Sequence, residues 1–273
     1  MLHDLFSPFM LTSYLASALV GTACGFLSVY VILKRLVFLA VALAQLVSAA
    51  VALAFFLHLN PTVAALGGVV LGALLFSWPA LGSVLPRENA IGTSYALASA
   101  AGVLLIAKNA QGEEHLLNLL YGSVLTVPPG ELWVMGGVVI LAGAVYLRYA
   151  KEFLFTSFDP EMARTLGVRT RLWEAVLYVS LGLVIALAIH LGGIMLVFAL
   201  LVMPGYAVLL ARSRLRPAFW GAVVLALLAA VAGPALSLIW DVPTSAVSIG
   251  LLGLFVIGGA GIGHWRGALE RGR

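Results

Sequence analysis

The sequence predicts an all-α integral membrane protein, a polytopic helical bundle of about nine spans, and three observations carry that reading. Hydrophobic residues make up 63% of the chain and charged residues only 10%, with a mean hydropathy of +1.11. A water-soluble globule could not cover itself with so little polar surface. The apolar residues fall in long runs, and nearly all of the 15 Lys and Arg fall in or beside alternate gaps between them. Those runs are continuous Leu, Ala, Val and Gly without the period-two alternation of barrel strands, so backbone pairing within the membrane must be helical.

A helix rises about 1.5 Å per residue, so about 20 apolar residues cross roughly 30 Å of hydrocarbon. The first run, 10–33, meets that length and ends at Lys34 and Arg35. It is too long for a cleaved leader, and His3 and Asp4 precede it instead of cations, so it is expected to remain as a span. It holds the single Cys24, which excludes an intrachain disulfide and reads as a small packing residue. The next runs are 36–57, 62–85 and 90–108. The loop 109–130 follows, with the alternative that it dips into the membrane. Then come 131–150 and, after a long polar connection, 172–190 and 192–211, which require a tight hairpin at His190-Leu191-Gly192-Gly193. The last two runs are 217–239 and 245–264. Gly21 with Gly25, Gly68 with Gly72, and Gly259 with Gly263 are G-x-x-x-G pairs suited to close helix packing. Trp133, Trp173, Trp220, Trp240 and Trp265 stand at span ends, as an interfacial belt requires, with Trp78 nearer a span interior.

Short loops rich in Lys and Arg stay in the cytoplasm. Placing Lys34 and Arg35 inside also places inside Arg87, the group Arg148, Lys151, Arg164, Arg169 and Arg171, then Arg212, Arg214 and Arg216, and finally Arg266, Arg271 and Arg273. Only Lys108 falls outside. The expected topology has the N-terminus outside and the C-terminus in the cytoplasm. A pI near 9.4 then reflects juxtamembrane cations facing anionic lipid headgroups, and nucleic acid is not an expected partner.

The chain contains no G-x-x-x-x-G-K-[ST] loop, G-x-S-x-G elbow, H-E-x-x-H pair or cysteine cluster. No catalytic residue is assigned, no cofactor is expected on this chain, and an enzyme is disfavoured. Spans almost free of ionisable residues, with Glu174 at an end, also argue against proton or sodium coupling. A conduit driven from elsewhere fits best.

The segment between the fifth and sixth runs suggests the driver. Asp159 suits a helix N-cap, Pro160 the first helical position, Glu161 the positive end of the helix dipole, and Gly167 a left-handed terminus. A two-turn helix results, with Met162, Ala163 and Leu166 expected on one apolar face and Arg164 on another. Two readings stand on physics alone: a docking knob for a cytoplasmic partner, or an amphipathic connector lying on the headgroups.

Phe158-Asp159-Pro160-Glu161-Met162-Ala163-Arg164-Thr165-Leu166-Gly167-Val168 resembles the coupling segment of permease subunits of bacterial metal-ion ABC transporters, the zinc, manganese and iron importers. Val31 to Arg35, Leu119 to Leu125, Gly193 to Pro204, and Asp241 to Thr244 agree with that family in order and spacing. The resemblance covers nearly the whole chain and implies one transmembrane permease domain over 1–273 with a type II importer architecture. It implies an ATP-binding cassette subunit that holds ATP and magnesium, an extracytoplasmic solute-binding protein, and a permease dimer of like or unlike chains. Asp159, Glu161, Met162, Ala163, Leu166 and Gly167 would couple ATP hydrolysis to transport.

The chain departs from that family at the second run, where such permeases usually carry Gly-Asp-x-x-x-His. Here the stretch is Ala40-Val41-Ala42-Leu43-Ala44-Gln45. An Asp and a His at i and i+4 share a helix face and can ligate a divalent ion, whereas Val41 has no lone pair and Gln45 offers only a neutral amide oxygen. Val41, Gln45, Ser48, Pro204 and Tyr206 are the candidate pathway residues, with Tyr206 standing where small residues are usual. Glu114 and His115 are outer metal-ligand candidates, although carboxylates there also suit helix capping. The alternatives to a metal importer are a permease of the same architecture for a non-metal substrate and an ATP-independent channel or carrier subunit.

Overall fold

The computed structural model describes residues 8–78, 86–107, 129–211 and 215–271, which form ten helices and no strand. They are α1 Pro8–Leu33, α2 Val37–Phe56, α3 Pro61–Ser77, α4 Arg87–Ala107, α5 Pro129–Arg148, α6 Ala150–Phe158, α7 Pro160–Thr165, α8 Thr170–Ala211, α9 Leu215–Trp240 and α10 Thr244–Arg271. Seven of the described helices or helix halves are long and apolar enough to cross a membrane, and eight if the bent pair α5–α6 counts as one. The expectation of about nine is slightly more. The difference lies in α3, whose 17 described residues stop at Ser77 because Trp78 turns to extended backbone (φ −68°, ψ 128°). Trp78 is thus at a helix end and exposed, joining the interfacial belt instead of a span interior.

The expected hairpin between the sixth and seventh runs shrinks to one residue. Gly193 (φ 72°, ψ 168°) interrupts α8 between the spans Thr170–Ile189 and Gly192–Ala211, a backbone conformation that a side chain would strain. Two apolar spans therefore meet with no polar loop whose amides would need other partners.

The chain forms two compact units, and α8 passes from one to the other between His190 and Leu191, just before the break at Gly193. The first comprises Met1–Ile32, Tyr121–Trp133 and Leu191–Arg273. Within it α1 and α9 approach closely because small residues oppose each other: a β-carbon on Gly21 would lie 2.9 Å from that of Ala230, and one on Gly25 would lie 2.6 Å from that of Ala226. Gly205 of α8 abuts the Ser28 carbonyl of α1, while Gly259 and Gly263 of α10 abut backbone of α8 at Ala207 and Leu210. Lipid tails are as apolar as Leu, so such association depends on close van der Waals contact between backbones.

The second unit comprises Leu33–Leu120 and Val134–His190. Here α2 is packed by both α3 and α4. Gly68 and Gly72 of α3 seat Ala50 and Leu46 of α2, and Gly182 of α8 seats Val69 of α3. Tyr146 of α5 and Ser180 of α8 share a hydrogen bond of 2.6 Å, which satisfies two polar groups inside an apolar packing layer. All three G-x-x-x-G pairs named from sequence thus make helix contacts.

Candidate functional site

The segment 158–168 is built by its caps. The Asp159 carboxylate accepts a hydrogen bond from the Met162 amide at 2.9 Å, Pro160 fills the first helical position, and exposed Glu161 lies in the positive first turn. At the other end the Gly167 amide donates to the Arg164 carbonyl at 3.1 Å and the Val168 amide to the Ala163 carbonyl at 3.0 Å. With Gly167 at φ 80°, this is a complete Schellman motif. The six-residue helix between them cannot persist by propensity alone, so both caps are needed.

The side chains of α7 divide differently from the sequence expectation. Met162 and Leu166 are 54% and 64% exposed, and Phe158 just before the helix is 55% exposed. Ala163 is fully buried. It does not share their face, because successive residues lie about 100° apart round a helix while i and i+4 nearly align. Ala163 instead seats α7 on the unit, and Met162 and Leu166 form the free knob. Arg164 also turns back, its Nε donating to Thr170 Oγ1 at 3.0 Å.

Beneath α7 the chain is held by aromatic packing that sequence reasoning missed. The helix pair α5–α6 bends by 74° at Tyr149, whose φ −119° and ψ 30° leave the helical region. Trp173, in the first turns of α8, packs against Tyr149 at 4.7 Å and edge-on to Phe153 at 5.1 Å, and Tyr146 lies 4.4 Å from Phe153. Phe153 is almost fully buried. The signal available was the spacing Tyr146, Tyr149, Phe153 across a span end, which places three rings on one helical side.

A charged cluster adjoins this packing. Glu174 Oε1 accepts from Arg87 Nη1 at 2.9 Å and from the Tyr178 hydroxyl at 3.0 Å. Lys34, in the turn between α1 and α2, feels the same carboxylate: burial lowers its ammonium below the usual lysine range, and the Glu174 charge opposes that shift. Close by, Ser77 and Trp78 at the end of α3 share an open cleft of about 640 Å³ with Arg164, Arg169 and Arg171.

The pathway candidates fall in both units. In the second unit Val41 and Gln45 of α2 are half-buried and Ser48 is buried, with Gly102 of α4 packed against Ala49 beside it. In the first unit Pro204 is buried within α8 and Tyr206 is 46% exposed. Among the described residues no group of three His, Cys, Asp or Glu side chains converges to hold a metal ion. Glu114, His115 and the whole loop 109–128 lie outside the described residues.

These features define a multi-pass membrane protein with a short helix, capped at both ends, in the connection between α6 and α8. The sequence matches the family model described as the ABC 3 transport family over residues 7–260, and the chain belongs to that family. It is 29% identical over 231 residues to the "Manganese transport system membrane protein MntC" of Halalkalibacterium halodurans, covering 85% of this chain and 79% of that one. It is 26% identical over 257 residues to the "Probable iron transport system membrane protein" of Haemophilus influenzae, covering 94% of each. The fold is similar to a chain of the structure "PsaBC from Streptococcus pneumoniae in complex with Fab", with a TM-score of 0.84, 23% identity, and coverage of 94% of this chain and 93% of that one.

Proposed function

We propose that this chain is the permease subunit of an ATP-driven importer of divalent metal ions, with manganese or iron the cargo its relatives' names favour. The observation that carries the reading is α7, a helix stabilised at both ends that buries Ala163 and leaves Met162 and Leu166 uncovered. An exposed apolar pair on a rigid mount suits a cytoplasmic partner better than a flexible connector. That partner is an ATP-binding cassette subunit holding ATP and magnesium, a division of labour supported by the lack of a nucleotide loop in this sequence. An extracytoplasmic solute-binding protein delivers cargo, and a second permease chain, like or unlike, completes the path. Asp159, Glu161, Met162, Leu166 and Gly167 serve coupling, with Ala163 as the seat of the helix.

The expected orientation, N-terminus outside and C-terminus cytoplasmic, gains support from the second unit. Lys34, Arg87 and Glu174 meet there, and Trp78 shares a cleft with Arg164, Arg169 and Arg171. Gaps that charge alone assigned to the cytoplasm thus gather into neighbouring clusters.

A second reading, the same architecture with cargo other than a bare divalent ion, is favoured by Val41 and Gln45, which lack the ligands a dehydrated cation needs. The test is reconstitution of this chain with its ATP-binding cassette and solute-binding partner subunits, followed by ATP-dependent uptake of manganese and iron. Uptake of either supports the metal reading. Uptake of neither, with hydrolysis intact, supports the second.

A further inference from the structure

We infer that Glu174 is a positioning residue of the transport cycle, the joint that ties the mount of docking helix α7 to α4 and, through α4, to α2. The inference rests on the permease reading above and deepens it.

Among the described residues Arg87–Glu174 is the one ion pair. Its members are 87 residues apart, and the carboxylate oxygen that accepts from Arg87 also accepts from Tyr178. Side chains 36% and 24% exposed make a pair that adds little to stability, so its effect lies in direction more than strength. A charge-assisted hydrogen bond with a second donor on the same atom fixes where the carboxylate sits.

The two neighbouring residues Trp173 and Glu174 hold the start of α8 from different sides. Trp173 packs on Tyr149 and Phe153, so α8 follows α6, and α6 leads directly into α7. Glu174 stands about 100° further round the helix and meets Arg87, the first residue of α4. From there α4 packs along α2, where Gly102 lets Ala49 approach closely and brings the backbone of α4 beside the pathway candidate Ser48. Lys34 places a further cation toward the same carboxylate from the turn that opens α2. A displacement of α7 therefore reaches α8 through aromatic packing, and Glu174 makes α4 and α2 move with it.

The experiment uses the complete transporter in proteoliposomes with manganese as the cargo probe, reading manganese moved per ATP hydrolysed. Glu174→Gln and Arg87→Gln lower that ratio at least about fivefold, the lower end of ordinary coupling energies, while hydrolysis stays within about twofold of wild type. Arg87→Lys keeps most of the ratio, and the exchange Arg87→Glu with Glu174→Arg recovers a large part of what either single change loses. Transport and hydrolysis that fall in proportion would overturn the assignment, as would a wild-type ratio in whatever complex folds or an exchange that recovers nothing. Wild-type complex that takes up no manganese fails the metal-permease reading itself, and that result is read before any variant.

Discussion

Asp159 and Gly167 close α7 by opposite means, one with a side-chain acceptor and the other with a backbone that side chains resist. Asp159→Ala should loosen the first turn by about 1 kcal/mol, and Gly167→Val should cost about 1–2 kcal/mol by forcing a β-branched residue to positive φ. Neither touches the spans, so amide hydrogen exchange over residues 162–168 should rise in both variants while the thermal transition of the bundle barely moves. At the pathway candidates, Val41→Asp with Gln45→His sets two donors one turn apart on α2. This double variant should gain zinc or manganese affinity, measured by calorimetry in detergent, and lose it below about pH 6 as the imidazole, with an ordinary pKa near 6.5, takes up a proton. The sign follows from the ligand requirement, since only the neutral ring binds metal. Tight metal binding at Val41 and Gln45 in the unaltered chain would contradict the reading that these two residues lack the ligands a dehydrated cation needs.

At the scale of elements, replacing both Met162 and Leu166 with Asp should uncouple hydrolysis from transport without unfolding the chain, because both side chains face solvent. Normal transport by that variant would remove α7 from the mechanism. A contrasting change, Gly25→Leu, should destabilise the α1–α9 contact by about 1–3 kcal/mol, seen as a lowered thermal transition, because even a β-carbon there would crowd Ala226. The spans and the caps of α7 were legible in sequence because apolar run length and the Asp-Pro…Gly signature are local signals. The Arg87–Glu174 pair was not, since its members are distant in sequence and each reads alone as a residue at a span end. Ala163 was misplaced because a run of apolar letters does not show which turn of a short helix is seated. The aromatic mount is not legible in sequence because Trp173, at a span end, reads equally well as an interfacial residue. The end of α3 at Ser77 was hidden by continuing hydropathy, which does not register a change of backbone direction.

For the whole molecule, two compact units that divide α8 between His190 and Leu191 and carry separate sets of pathway candidates suit a subunit whose path is completed by another copy or a related chain. Crosslinking in native membranes should then trap permease pairs, and a purely monomeric chain would count against the proposed assembly. The central claim is that α7 is where the ATPase subunit docks. It can be tested directly because Cys24, the only cysteine, is fully buried, leaving a chain without an accessible thiol. Leu166→Cys, carrying a thiol-attached photocrosslinker in the assembled transporter, should join this chain to the ATP-binding cassette subunit, with a yield that changes on adding ATP. Crosslinks confined to lipid, with hydrolysis and transport intact, would contradict the account.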